Sequence, residues 1–247
     1  MTNFVAVIPA RYGSTRLPGK PLLEIEGRPM VWHVYQRAIE SNASTVIVAT
    51  DDQRIMDAIQ SFGGNCLMTD VDHLTGTDRL AEVAAKLKLP DDAIVVNVQG
   101  DEPLIPAIAI NQVAVSLSNQ PKAAIATLCE PFKMYHDALD PSQVKVVFSK
   151  SGRALYFSRA IIPGCSEQSE ARHYRHIGIY AYRAGFLRDF SRWSPTLLEQ
   201  SEHLEQLRAL EHDRLIHVDV TEVSIPPGVD TEQDLMLVRQ HMASTRV

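Results

Sequence analysis

The sequence predicts an α/β protein built on a mostly parallel, doubly wound sheet, and two observations carry that prediction. Apolar strand-like runs alternate with helix-period segments four times between residues 4 and 98, the pattern of parallel strands joined by crossover helices. The first run, Phe4-Val5-Ala6-Val7-Ile8, passes directly into a loop punctuated by Pro and Gly, as a buried parallel strand does on reaching the edge of its sheet. In open sheets of this kind ligands bind outside the carboxyl ends of the strands, so function is sought there first.

The elements follow in order. Pro29 and Met30 open the first helix, with Val31, Val34 and Ala38 on one face. Thr45 to Ala49 is the second strand; Ile55, Ile59 and Phe62 then recur at helical spacing until Gly63-Gly64 closes that helix. Asn65 to Met68 is a short third strand. A polar loop from Thr69 to Gly76 leads to a helix that Thr77 is placed to cap, with Leu80, Ala84 and Leu87 turned inward. Ala93 to Val98 is the fourth strand, ending in Gln99-Gly100-Asp101-Glu102-Pro103. Beyond it the pattern becomes mixed. Gln143 to Phe148 and Ala154 to Phe157 flank Ser149-Lys150-Ser151-Gly152 as a hairpin, and His176 to Tyr182 alternates as a half-buried strand. Leu197 to Leu210 reads as one acidic helix and Leu215 to Val220 as a strand. A last helix begins at Thr231, with Asp234 completing a capping-box variant and Leu235, Val238 and Met242 buried. The mixed region reads as a smaller α+β insertion forming the far wall of the site, and Pro163 to Tyr174 as a mobile loop.

At 247 residues the chain is long enough for a substantial core, and 45% hydrophobic with 22% charged residues is ordinary for a globular protein. A net charge of −6 repels nucleic acid and anionic membranes, so a local cluster of positive charge points to a small anion. Cys66, Cys129 and Cys165 are odd in number and form no CxxC pair, which argues against a disulfide framework or a thiolate zinc site and fits a reducing cytoplasm. The first apolar run is too short, and too quickly followed by Arg11, to be a signal peptide, and no run approaches the ~20 apolar residues of a membrane span.

The loop from Pro9 to Leu22, PARYGSTRLPGKPL, holds that positive cluster. Arg11, Arg16 and Lys20 stand among Gly13, Ser14, Thr15 and Gly19, so guanidinium forks and an ammonium are combined with backbone that can approach a polyphosphate closely. It is neither GxxxxGK[ST] nor GxGxxG: Gly13 and Gly19 are six apart and Pro21 follows Lys20. Asp101, past the end of a buried strand beside Gly100, suits a magnesium ion bridging to phosphate, and it equally suits a turn. Asp230, in Gly228-Val229-Asp230-Thr231, either completes a metal site or complements a helix start. Arg159 ends a strand as a fork for a carboxylate or as a surface arginine, and His176 with Tyr180 either bonds a polyol or packs. Glu205 lies on a helix where solvation is the default, and Thr75 and Arg79 flank a Gly turn able to read a base edge. No HExxH or GxSxG motif occurs.

Taken in order, PARYGSTRLPGKPL, DHLTGTDR, NVQGDEP, ALYFSRA, RHIGIYAYR, LEQLRAL and GVDT resemble the 3-deoxy-manno-octulosonate (Kdo) cytidylyltransferases over nearly the whole chain, from Val5 to Met242. The resemblance implies a Rossmann-like nucleotidyltransferase fold, a homodimer, magnesium dependence, and conversion of CTP and Kdo to CMP-Kdo and pyrophosphate in the cytoplasm for lipopolysaccharide synthesis. It implies one domain over 1–247, with a nucleotide-binding half at 1–130, a sugar-binding and dimerisation region at 131–220, and the metal-ligand turn with the C-terminal helix at 221–247. It assigns Arg11, Ser14, Arg16 and Lys20 to the triphosphate, Thr75 and Arg79 to the cytosine or ribose, and Asp101 and Asp230 to magnesium. Gln99, Arg159, His176, Tyr180 and Glu205 become the sugar site, with Arg159 on the Kdo carboxylate. Gly164 to Tyr174 is shorter than the family's segment there, and TGTDR replaces the commoner SGTER. An 8-amino analogue of Kdo, sialic acid, or a non-catalytic CTP-binding module are the alternatives.

Overall fold

The computed structural model describes residues 2–13, 17–73, 75–164 and 172–244. Strand β1 (Phe4–Ala10) sends Phe4, Ala6 and Ile8 to one face of the sheet and Val7 to the other, the period-2 alternation of a strand covered on both sides. The basic loop then passes through a 3₁₀ turn at Lys20–Leu22 and a tiny hairpin, β2 (Glu24–Ile25) and β3 (Arg28–Pro29), before helix α1 (Met30–Ile39) begins. Next come β4 (Thr45–Thr50), α2 (Gln53–Ser61), β5 (Cys66–Met68), α3 (Gly76–Lys86) and β6 (Ile94–Asn97). These elements match the alternation expected. The cap of α3 is Thr75 rather than Thr77: Thr75 Oγ1 accepts from the Asp78 N–H while Asp78 bonds back to the Thr75 N–H, a full capping box. Leu87, expected inside, is 37% exposed at the end of that helix.

Two elements that follow give no clear signal in the sequence, α4 (Ala107–Ser118) and β7 (Ile125–Pro131). Helix α4 is apolar nearly all round, which blunts its 3.6-residue period, and β7 is a continuous apolar run. The hairpin β8 (Lys145–Phe148) and β9 (Ala154–Ser158) forms as expected. The long strand β10 (Tyr174–Arg183) is not part of an appended insertion. It lies in the middle of the main sheet, antiparallel to both β6 and β7. Helix α5 (Ala184–Phe190) follows, also unread from sequence. The single helix expected over 197–210 is two, α6 (Leu197–Glu202) and α7 (Gln206–Glu211), broken where His203 takes a left-handed φ of 54°. Strand β11 (Ile216–Val220) and helix α8 (Glu232–Ser244) complete the chain, and the Thr231–Asp234 capping box forms at the start of α8.

The sheet runs β11-β7-β10-β6-β1-β4-β5, with the β8–β9 hairpin joined through β10. Every pair on the main path is parallel except the two that β10 makes. Helices α1, α2 and α4 cover one face through Val34, Ile55, Ile59, Ile110 and Val113; α3, α5 and α7 cover the other through Leu80, Val83, Phe186, Leu187 and Leu207. A third apolar cluster docks α8 on the basic-loop region, where Leu235, Val238 and Val229 meet Leu17, Ile25 and Met30. Arg239 fastens the same contact by donating to the Glu24 carbonyl at 2.7 and 2.9 Å. The chain thereby returns from the far edge of the sheet to its first loop. Of Pro163 to Tyr174, residues 165–171 lie outside the described residues; Tyr174 already belongs to β10, and His173 is buried with its Nδ1 3.0 Å from the Ile162 carbonyl. Cys66 and Cys129 are free thiols that burial pushes up, to about 11 and about 12.

The ends of β1 and β6 touch. A Cβ on Gly100 would fall 2.7 Å from the Pro9 carbonyl oxygen, a backbone atom that has nowhere to go. Gly100→Ala is accordingly expected to cost about 1–3 kcal/mol, read as a lower urea midpoint at unchanged slope.

Candidate active site

The loops after β1 and β6 emerge from neighbouring parallel strands at their carboxyl ends, and the turn before α8 closes on them from the side. Val229 N–H donates to the Asp101 carbonyl at 2.8 Å, and Gly228 lies close enough that a Cβ there would come 3.3 Å from the same oxygen. Asp101 and Asp230, 129 residues apart in sequence, thus share one point in space. Lys20 marks it. Its ammonium donates to Asp101 Oδ2 at 2.8 Å, to Asp230 Oδ1 at 3.1 Å and to the Val229 carbonyl at 2.8 Å. Gly19, which precedes it, has φ +69° with the Tyr12 ring packed beneath, a conformation glycine adopts without strain.

Two cavities meet there. The smaller, about 330 Å³, carries Arg11, Lys20, Thr75, Arg79 and His73, so it is the more cationic of the two. The larger, about 760 Å³, carries Gln99, His176, Tyr180, Gln206, Arg175 and five carboxylates, Asp101, Glu102, Glu205, Asp230 and Asp234. Gly76, Gln99, Asp101, Glu205 and Asp230 line both. The start of α3 faces this junction as well, presenting the positive end of a helix dipole to an anion. A third cavity of about 880 Å³ lies beyond Arg175, lined by Glu130, Lys133 and the 221–227 segment, and contains none of the residues singled out in the sequence.

Among the described residues, no group of three or more His, Cys, Asp or Glu side chains converges as a metal cage. The donor set at the junction nevertheless fits magnesium, which takes one or two carboxylates and draws its remaining oxygens from water and phosphate. Asp101 and Asp230 already hold a cation between them in the Lys20 ammonium. Electrostatics points the same way: Asp101, Asp230 and Asp234, with two further carboxyl groups, stand against one arginine in the larger cavity, so an anion is better received there with a cation beside it.

Environment sets the protonation of the remaining groups. Glu205 sits at the break between α6 and α7 and accepts from Thr77 Oγ1 at 2.7 Å; burial raises its carboxyl above the usual range, against the solvated helix position expected. Burial, with the Asp101 charge beside it, pushes Glu102 up to about 8. His176 is driven down to about 3 by burial, so it is neutral, with Nε2 2.9 Å from Thr127 Oγ1. Thr127 Oγ1 also lies within hydrogen-bond reach of the Ile179 and Ile177 carbonyls, at 2.8 and 3.1 Å. Tyr180 is buried and its ring centroid lies 5.3 Å from that of His176; four residues apart, the pair shares a face of β10, and the register shift between Ile177 and Tyr180 leaves this unchanged.

A pH prediction arises from His176. In the unfolded chain it takes up a proton near pH 6.5, while in the fold it resists until about 3, so the unfolded state binds more protons in between and stability falls as pH drops through that window. Unfolding free energy should decline by up to about 2 kcal/mol from pH 7 to pH 5 through this residue. His176→Gln should flatten the urea-midpoint profile over that interval.

The structure thus gathers Arg11, Lys20, Thr75, Gln99, Asp101, His176, Tyr180, Glu205 and Asp230 around one junction. Ser14 and Arg16 lie outside the described residues. Arg79 lines the smaller cavity but is engaged in structure: it is 3% exposed and pairs with Asp51 at 2.7 Å. Arg159 lines neither cavity. Its Nε donates to the Glu202 carbonyl at 3.0 Å and its NH1 to the Pro141 carbonyl at 3.2 Å, behind the turn that carries Ser142 and Gln143. The sequence reading also missed Gln206, which follows Glu205 into the larger cavity; the only signal for it was adjacency.

A cationic cavity that meets an acidic one at paired carboxylates offers a substrate little covalent chemistry. It can hold a polyphosphate and an acceptor in line and neutralise charge between them, and that is how a nucleotidyltransferase works. Known proteins narrow the class. The family model described as cytidylyltransferase matches residues 5–216. The 3-deoxy-manno-octulosonate cytidylyltransferase of Hahella chejuensis is 55% identical over 99% of this chain and 100% of its own length. That of Idiomarina loihiensis is 52% identical over 96% of this chain and 98% of its own. Among solved structures, CMP:2-keto-3-deoxy-manno-octonic acid synthetase complexed with CTP matches with a TM-score of 0.93 and 44% identity over 99% of this chain and 100% of that one. A cytidylyltransferase from Leptospira borgpetersenii, 15% identical with a TM-score of 0.65, shares the fold. The chain belongs to the cytidylyltransferase family and, within it, to the 3-deoxy-manno-octulosonate cytidylyltransferases.

Proposed function

We infer that the protein activates Kdo with CTP, giving CMP-Kdo and pyrophosphate. The observation that carries this reading is the junction itself, where Asp101 and Asp230 stand between a cationic cavity and a hydroxyl-binding one. CTP occupies the smaller cavity, its triphosphate along Arg11 and Lys20, and Kdo the larger, against Gln99, His176, Tyr180, Glu205 and Gln206. The anomeric hydroxyl oxygen attacks the α-phosphorus in line. A new P–O bond forms, the bond to the bridging oxygen of the β-phosphate breaks, and pyrophosphate leaves with that electron pair while the hydroxyl proton passes to solvent. Asp101 and Asp230 would hold a magnesium ion, which when bound neutralises phosphate charge and lowers the pKa of a neighbouring hydroxyl. Lys20 is held by these same carboxylates before the nucleotide arrives and can turn its ammonium to the leaving group. Arg11 lines the same cavity and adds a second charge there.

The test is pyrophosphate release from CTP and Mg²⁺ with Kdo, 8-amino-Kdo and N-acetylneuraminate in parallel. Turnover with Kdo, abolished by EDTA and restored by Mg²⁺, is the expected result. Turnover with another acid alone would reassign the acceptor, and silence with all three would leave a CTP-binding module.

A further inference from the structure

Five buried side-chain polar atoms among the described residues have no hydrogen-bond partner: Asn97 Oδ1, Glu102 Oε2, Ser116 Oγ, Thr196 Oγ1 and Gln206 Nε2. Three of them, on Asn97, Glu102 and Gln206, belong to residues that line the larger cavity. A buried polar atom left unpaired destabilises a fold, so such atoms gathered in one cleft indicate a ligand that completes them. Gln206 falls with its neighbour Glu205 in the acceptor site already described. Asn97 and Glu102 have no role in it so far.

We propose that Asn97 and Glu102 read the hydroxyl groups of the sugar, each completing a hydrogen bond with the polyol part of the acceptor. The inference rests on the acceptor reading given above. Asn97 Oδ1 only accepts, so its missing partner is a donor; a hydroxyl both donates and accepts, so a polyhydroxylated acid can complete the Glu102 carboxyl as well. Position sets both apart from the nucleotide, since neither lines the smaller cavity with Arg11 and Lys20; Glu102 adjoins Asp101, so the Mg²⁺ dependence separates a sugar role from a metal role. Asn97 is 3% exposed at the end of β6, paired in register with Tyr180 of β10, so the backbone fixes it beside a residue of the same wall. Glu102 lies between two glycines. A Cβ on Gly178 would come 3.8 Å from its Oε1, and one on Gly228 would come 3.4 Å from its Cγ, so both glycines border the carboxyl directly.

Glu102→Met, close in shape, and Asn97→Leu, close in volume, test the idea with Kdo and with analogues that each lack one hydroxyl. Each variant should raise KM for Kdo about tenfold, with KM for CTP and the Mg²⁺ half-saturation within twofold and kcat within threefold. For one analogue per variant, wild type and variant should perform alike, because the hydroxyl and its acceptor are lost together. An equal loss across all analogues would overturn the proposal in favour of a packing role, checked by thermal melting. A shifted Mg²⁺ half-saturation in Glu102→Met would overturn it in favour of a role at the metal. Absence of turnover by the wild type with Kdo would remove both this proposal and the acceptor reading beneath it, whereas wild-type turnover with unchanged variant KM would remove this one alone.

Discussion

Asp101→Asn is expected to lower kcat by about 10²-fold or more with the fold intact. The substitution keeps the shape of the side chain and removes one of the two charges that meet at the junction. In the structure that charge holds the Lys20 ammonium at 2.8 Å, and it lies on the loop whose backbone carbonyl receives Val229 N–H. The backbone bond survives the change, so the 228–230 turn and the docking of α8 should persist, and a far-ultraviolet spectrum and urea midpoint near wild type would verify this. The loss should fall mainly on kcat, because the charge acts on groups that change during transfer rather than on nucleotide binding alone. Single-turnover kinetics with saturating CTP and Kdo separates the two. A variant within threefold of wild type would remove Asp101 from the mechanism.

Glu199→Ala should destabilise the fold by about 3–5 kcal/mol. Glu199, on α6, and Arg208, on α7, are both nearly inaccessible and form a two-pronged ion pair, with Arg208 Nε donating to Glu199 Oε2 at 2.7 Å. Arg208 also reaches the Trp193 carbonyl at 3.2 Å and lies over the Phe190 ring at 4.3 Å. Removing the carboxylate strands a guanidinium in that setting, and the cost of an unpaired buried charge exceeds what the pair itself contributes. Urea unfolding measures it. The double variant Glu199→Leu with Arg208→Met should recover most of the loss, since no charge is then stranded. Because the pair fixes the break that presents Glu205 and Gln206, the single variant should also raise KM for the sugar acid more than KM for CTP. A loss below about 1 kcal/mol would mean that Arg208 finds another partner.

The sequence by itself determined the alternation of parallel strands and helices from Phe4 to Val98, the β8–β9 hairpin and the capped start of α8, because each is written in local periodicity, turn residues and caps. It also marked Arg11, Lys20 and Asp101, since charge concentrated at the end of a buried strand has few structural uses. Segments apolar nearly all round were not legible: α4 and β7 carry no charged stripe to reveal their period. Nor was the break at His203, which depends on one residue taking a left-handed conformation that its neighbours impose. Only the tertiary structure decided which residues share a point in space. Asp230 reaches Asp101 because the Leu235 and Val238 side of α8 is buried on Leu17, Ile25 and Met30, a long-range apolar contact that local pattern cannot specify. The same holds for Arg159, which local sequence places at a strand end and packing turns toward the Glu202 and Pro141 carbonyls. Glu205, a solvated helix position by pattern, becomes a buried carboxyl because α7 folds back over Thr77 at the start of α3. Local chemistry chooses the element, whereas burial and long-range docking choose which of its side chains face the cleft.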